Sequence, residues 1–418
     1  MTAAPIPATR PAKVRDPRLD FFRGIALFVI LVSHTRGNWL SDWIPARFGL
    51  SDAAAMFVFV SGYAGGLAFG GVYKRAGWLL GTARIGLRVW QLYIAQLAIV
   101  LVVAALAVAA NRLLPGEDDY RSVLQLDHLF SDPADALLGI VTLTYVPHYL
   151  DILPVYMVVL AMVPAAVALA RLVHPLAVLA VSAALWALAN AYDWNLPSPS
   201  DPRGWFFDPF CWQLLFFTGF SLSMKWLTPP PADRRIFRAA VAYILFGVAV
   251  TVPAIYETVP GLDLVQAWVL GHADKTFLDP LQILHFFATA YVAVYLLTGR
   301  LHLIQGQAVR PLVKCGQQAL SIFLAGILLA DLAGMAFDLL GTGFVAQVLV
   351  NGFCFAVLFA VAYGVAWIKP APWAKPATTP APASVAANQP AEPVRAPTLA
   401  ASASARPRTG IAPSISTR

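Results

Sequence analysis

Charge is scarce in this 418-residue chain: Asp, Glu, Lys and Arg together make up 12% of it. Soluble globular domains carry about 25%. A surface so poor in charge excludes a cytosolic globular protein, a disordered chain and a reader of nucleic acid, in spite of the formal net charge of +7. Cysteine is scarcer still. Cys211, Cys315 and Cys354 lie singly in apolar runs, without the paired spacing of a disulfide framework or a thiolate metal site, and read as small core residues. No Walker motif, no dinucleotide-type glycine loop between a strand and a helix, and no internal repeat occurs. No two His or carboxylate residues hold tight ligand spacing on a helix, so no metal and no permanently bound cofactor is expected.

Apolar sequence fills the chain instead. Its hydrophobic fraction is 59% and its mean hydropathy +0.68. A helix crossing the hydrocarbon core needs about 20 mostly apolar residues. Ten runs qualify, near 19–36, 52–71, 85–110, 148–170, 173–190, 206–226, 237–257, 281–299, 313–337 and 346–368. They are too long, and alternate too little, for barrel strands. The expected fold is therefore all-α, a polytopic membrane protein of about ten transmembrane helices. Lys and Arg collect on the cytoplasmic side of such proteins. With both termini inside, all but six of the 29 basic residues fall on that side, which favours an even number of crossings. The first apolar run follows a polar basic arm (residues 1–18) and has no small-residue cleavage site behind it, so it reads as an uncleaved span. Residues 370–418, rich in Pro, Ala, Ser and Thr, read as a disordered cytoplasmic tail. The domain between them covers 19–369.

Ionisable groups inside spans are costly and mark function by default. Arg23 and His34 share the first run. Eleven residues make about three full turns, so both project from one face, about 16 Å apart along the axis. His148 and Asp151 open the fourth run, Trp212 and Gln213 lie early in the sixth, and His285 lies early in the eighth. By depth these groups gather at the His34 level. Singly, each also fits an ordinary helix-packing hydrogen bond; together they point to a polar site. Near the other face stand Lys74, Arg75, Arg84 and Arg88. Arg84 and Arg88 are four apart on one helix face, and planar guanidinium groups suit bidentate phosphate binding, although the inward bias of basic residues alone would place them there. Histidine, with an ordinary pKa near 6.5, suits removal of a hydroxyl proton. Gly62, Gly65 and Gly66 suit close helix packing. A transporter of a sugar or organic acid remains the alternative to group transfer.

Several stretches carry a family resemblance. They are Arg15-Asp-Pro-Arg-Leu-Asp-Phe-Phe-Arg-Gly-Ile-Ala with His34 beyond it, Phe48-Gly-Leu-Ser-Asp-Ala-Ala, Phe57-Val-Phe-Val-Ser-Gly-Tyr63, Thr144-Tyr-Val-Pro-His-Tyr-Leu-Asp-Ile-Leu-Pro154, Pro209-Phe-Cys-Trp-Gln-Leu-Leu-Phe216, Asp279-Pro-Leu-Gln-Ile-Leu-His-Phe286 and Gly316-Gln-Gln-Ala-Leu-Ser321. In order through about 350 residues, they resemble the OpgC family of acyltransferase-3-like membrane acyltransferases, which succinylate osmoregulated periplasmic glucans. The resemblance implies a bacterial inner-membrane location, a cytoplasmic acyl-CoA co-substrate with succinyl-CoA as the expected donor, and a periplasmic glucan acceptor. Carried over by position, it implies a catalytic role for His34 with Arg23 and donor binding by Arg84 with Arg88. The mechanism expected from the polar groups adds Lys74 and Arg75 at the acyl-CoA phosphates, Asp151 and His285 beside the catalytic His34, and Trp212, Gln213 and His148 against the sugar. Ser33 stands where the family pattern leads one to expect an acidic residue.

Overall fold

A computed structural model describes residues 16–114, 118–147, 149–199 and 202–373. His148, most of the N-terminal arm and nearly all of the Pro/Ala-rich tail lie outside them. Among the described residues every regular element is a helix. Ten are labelled here: α1 (Pro17–His34), α2 (Ala53–Leu113), α3 (Ile152–Leu172), α4 (Pro175–Tyr192), α5 (Pro209–Met224), α6 (Arg234–Thr251), α7 (Pro280–Leu297), α8 (Arg310–Gln317), α9 (Ala319–Leu340) and α10 (Phe344–Ile368).

The starts of these helices follow from local chemistry. α1 opens at Asp16-Pro17 and α5 at Asp208-Pro209. In each, the Asp side chain accepts a backbone N–H of the first turn, and the proline occupies a position whose N–H would have no helical partner. Asp52 caps α2 in the same way, accepting from Ala54 N at 3.0 Å and Ala55 N at 3.3 Å.

Each of the ten predicted runs overlaps helix, with three differences in detail, the first being that run 313–337 is divided between α8 and α9. The second and third runs are joined in the 61-residue α2. The basic stretch between them, expected as a loop, is helical, and the break is reduced to Gly77 at φ +80°. That conformation is open to glycine and strained for other residues. Further, six helices are long and apolar enough to cross a membrane: α2, α3, α4, α7, α9 and α10. α5 has only 16 residues. α1 and α6 have 18 each, but α1 carries Arg18, Asp20 and Arg23, and α6 carries Arg234, Arg235 and Arg238.

α1 runs through the bundle against α2, α8 and α9, while the first arm of α2 packs along α5 and its remainder meets α3. The α2–α5 contact is backbone to backbone: a Cβ on Gly62 would stand 2.0 Å from the Phe216 carbonyl oxygen. Several polar residues of the apolar helices serve this packing. Asn38 Nδ2 donates to Asn351 Oδ1 at 2.8 Å, and Gln347 Nε2 donates to the Gly37 carbonyl at 2.7 Å, tying the end of α1 to α10.

Candidate active site

Two cavities lie along α1. The first, of about 210 Å³, is lined by Ser33 and His34 from α1, Asp52 from the α2 cap, Tyr149 and Asp151 from the loop before α3, and Lys275. The His34 and Tyr149 rings stack at 4.3 Å with 30° between their planes. Tyr149 adopts φ +66°, so this loop is held in an uncommon backbone state at the site. Lys275 Nζ pairs with Asp52 and sits over the Phe206 and Phe207 rings at 5.5 and 5.2 Å. Asp52 already accepts two α2 amides, so its charge is shared between the helix terminus and Lys275.

The second cavity, of about 200 Å³, is lined by Arg23 and Ser61 together with Arg88, Tyr156 and a set of apolar side chains. Arg23 also donates to the Val60 carbonyl at 3.3 Å. Phe323 lines both cavities, and its ring stacks on Phe57 with centroids 6.0 Å apart. Arg23 and His34 of α1 therefore line adjacent cavities that share one aromatic residue. Arg84, Lys74 and Arg75 are exposed and do not line the second cavity, whereas the half-buried Arg88 does.

A third cavity, of about 560 Å³, adjoins the first through Asp151 and Phe206, which line both. Its wall includes Tyr145. Burial pushes the Tyr145 phenol above its ordinary pKa, which keeps it a neutral hydroxyl, donating to the Gln125 carbonyl at 3.4 Å.

The other sequence-selected residues separate from His34. His285 is 4% exposed, with Nδ1 2.8 Å from Ser51 Oγ and with Gly49 and Gly247 packed on its ring. It does not line the His34 cavity, because its ring is held between Gly247 of α6 and the Gly49–Ser51 segment before α2. Gln213, 1% exposed, donates to the Ser182 and Phe210 carbonyls at 2.8 and 3.0 Å and accepts from Ser182 Oγ at 2.6 Å. These bonds commit it to the α4–α5 contact, and it lines none of the three cavities. Trp212 is buried too. Its indole N–H donates to the Lys275 and Thr276 carbonyls at 3.1 and 3.2 Å, so it acts on the site through the loop that carries Lys275. His148 lies outside the described residues. Among the described residues no group of three or more His, Cys, Asp or Glu side chains gathers as a metal site.

The model of the family described as OpgC protein matches residues 15–370, most of the chain. The chain belongs to the OpgC family. That membership, with the apolar helices, makes it a membrane protein of acyltransferase-like role. No curated protein and no solved structure matches the chain. For this OpgC-family site, sequence reasoning missed Asp52, Tyr149 and Lys275. Asp52 lay within a stretch that carried the resemblance, where its helix-capping position was the available signal. Lys275 was the one Lys or Arg in the segment between α6 and α7.

Proposed function

We propose that the chain is an O-acyltransferase of the bacterial inner membrane, moving a succinyl group from cytoplasmic acyl-CoA to a hydroxyl of a periplasmic glucan. One observation carries the reading: Arg23 with Arg88, and His34 with its polar neighbours, line adjacent cavities that meet at Phe323. Two guanidinium groups at one end suit a phosphate-bearing donor. An imidazole at the other suits proton transfer.

Arg88 holds the CoA end, with the exposed Arg84, Lys74 and Arg75 adding positive potential around the entrance. The thioester arm extends past Phe323 towards His34. His34 takes the proton of an acceptor hydroxyl as its oxygen attacks the thioester carbonyl. The C–O bond forms, the C–S bond breaks, and the thiolate leaves with the proton returned by the imidazolium. Stacking on Tyr149 fixes the ring plane, and Asp151 offsets the positive charge while it lasts. The free carboxylate of a succinyl group meets Lys275, whose ammonium has donors left beyond the one on Asp52.

Inverted inner-membrane vesicles with glucan enclosed and radiolabelled succinyl-CoA added outside test this. The expected result is base-labile label on the glucan. Glucan or free succinate crossing without covalent label would replace group transfer by transport.

A further inference from the structure

Lys74 and Arg75 stand on the surface at a bend in α2, away from the second cavity. Gly77 divides α2 into arms 53–76 and 78–113. In an unbroken helix Ser61 and Arg88 would be about 40 Å apart, yet both line the second cavity. The arms therefore lie side by side, with Gly77 at the tip. Three contacts fix that tip. Arg171 of α3 donates to the Tyr73 carbonyl at 2.7 Å. The Trp78 indole N–H donates to the Pro164 carbonyl at 3.0 Å. The Tyr73 ring is seated on Gly81, where a Cβ would stand 2.4 Å from it. Past the bend, Trp78, Leu79 and Leu80 are 42%, 73% and 60% exposed.

The chain offers the two cations no counter-charge. No Asp or Glu occurs in 53–116, 152–192 or 209–232, which hold α2 and the two helices packed most extensively along its arms, α3 and α5. Of the carboxylates on α1, Asp16 is taken by Arg18 at 2.7 Å and Asp20 is buried. Neither Lys74 nor Arg75 forms an ion pair among the described residues. Two unpaired cations beside an exposed tryptophan and two exposed leucines call for an anion that carries hydrocarbon. Free phosphate would answer the charge and leave Trp78, Leu79 and Leu80 in water. An anionic lipid answers both, since tryptophan settles at the membrane interface and basic residues are drawn to anionic headgroups. We propose that the α2 tip is a binding site for an anionic phospholipid of the adjoining leaflet. Lys74 and Arg75 meet its phosphate, and Trp78, Leu79 and Leu80 enter the hydrocarbon beside it. The site stands whether or not the chain transfers a group.

Native mass spectrometry of the detergent-purified full chain, titrated with phosphatidylglycerol or phosphatidylcholine, tests this. Lys74→Gln combined with Arg75→Gln alters exposed side chains and spares the fold. Arg300→Gln combined with Arg310→Gln, at two exposed cations outside α2, is the control. The unaltered chain is expected to prefer phosphatidylglycerol. Each cation near an anionic surface is worth roughly fivefold, so the Lys74/Arg75 variant should bind it tenfold or more weakly, and the control within threefold of the unaltered chain. Phosphatidylcholine should bind all three proteins alike. Equal affinity of the unaltered chain for the two lipids, or an equal loss in both variants, overturns the site. Displacement of phosphatidylglycerol by added coenzyme A would also overturn it and return Lys74 and Arg75 to the donor.

Discussion

His34→Ala separates a catalytic imidazole from one that merely packs. The substitution removes a ring stacked on Tyr149 at 4.3 Å. Such a contact is worth about 0.5–1.5 kcal/mol, and the residue sits at the last position of α1, where no helical hydrogen bond depends on its side chain. Folding should therefore lose little. A general base contributes about 10²–10⁴-fold to rate, or roughly 2.7–5.4 kcal/mol at 1.36 kcal/mol per tenfold. Activity should fall far more than stability. The assay is initial-rate transfer of labelled succinyl to glucan in vesicles, normalised to folded protein by size-exclusion fluorescence. His34→Gln should behave like His34→Ala, since an amide can hydrogen-bond but cannot take the proton. His285→Ala supplies the contrast: it removes a buried ring fitted against Gly49 and Gly247, so it should lower the melting temperature while the rate per folded molecule stays within a few-fold. A His34→Ala protein that keeps a third or more of the normal rate would refute the assignment.

Arg88→Ala should raise KM for succinyl-CoA by about tenfold or more, the loss of one charge-assisted hydrogen bond, while leaving KM for succinyl-pantetheine, which lacks the nucleotide phosphates, nearly unchanged. Lys275→Met should reduce succinyl transfer relative to acetyl transfer by about tenfold, as measured by competition between the two donors, because it removes the cation facing the free carboxylate and leaves Asp52 to repel it. Gly62→Ala should lower the yield of folded protein, since overpacking costs about 1–3 kcal/mol or more and the new methyl would meet the Phe216 carbonyl. Gly86→Ala, in open space on α2, should fold as well as the unaltered chain.

Local patterns were the legible part. Hydrophobic runs located the helices. Arg23 and His34 were legible because their relation is internal to one helix, and a fixed number of residues fixes a shared face. The continuity of α2 was not, because the basic, glycine-containing stretch around Gly77 carries the composition of a loop while only one residue in it leaves helical geometry. Depth alone misgrouped His285 and Gln213 with His34. Residues at one height in a bundle can face different neighbours, and the azimuth of each helix is set by packing that hydropathy does not encode. Asp52, Tyr149 and Lys275 come from three separate loops, so their meeting is a property of the closed bundle.

The shared wall at Phe323 has a consequence for what passes between the chambers. An ion entering either chamber finds ring carbon at the floor, and shedding its water there costs several kcal/mol. A neutral, slender chain needs only to push a ring off its preferred rotamer, a matter of about 0.5–1.5 kcal/mol. In the proposed transfer the succinyl carboxylate would bear that cost as it passes Phe323, and its pairing with Lys275 beyond the ring would offset it.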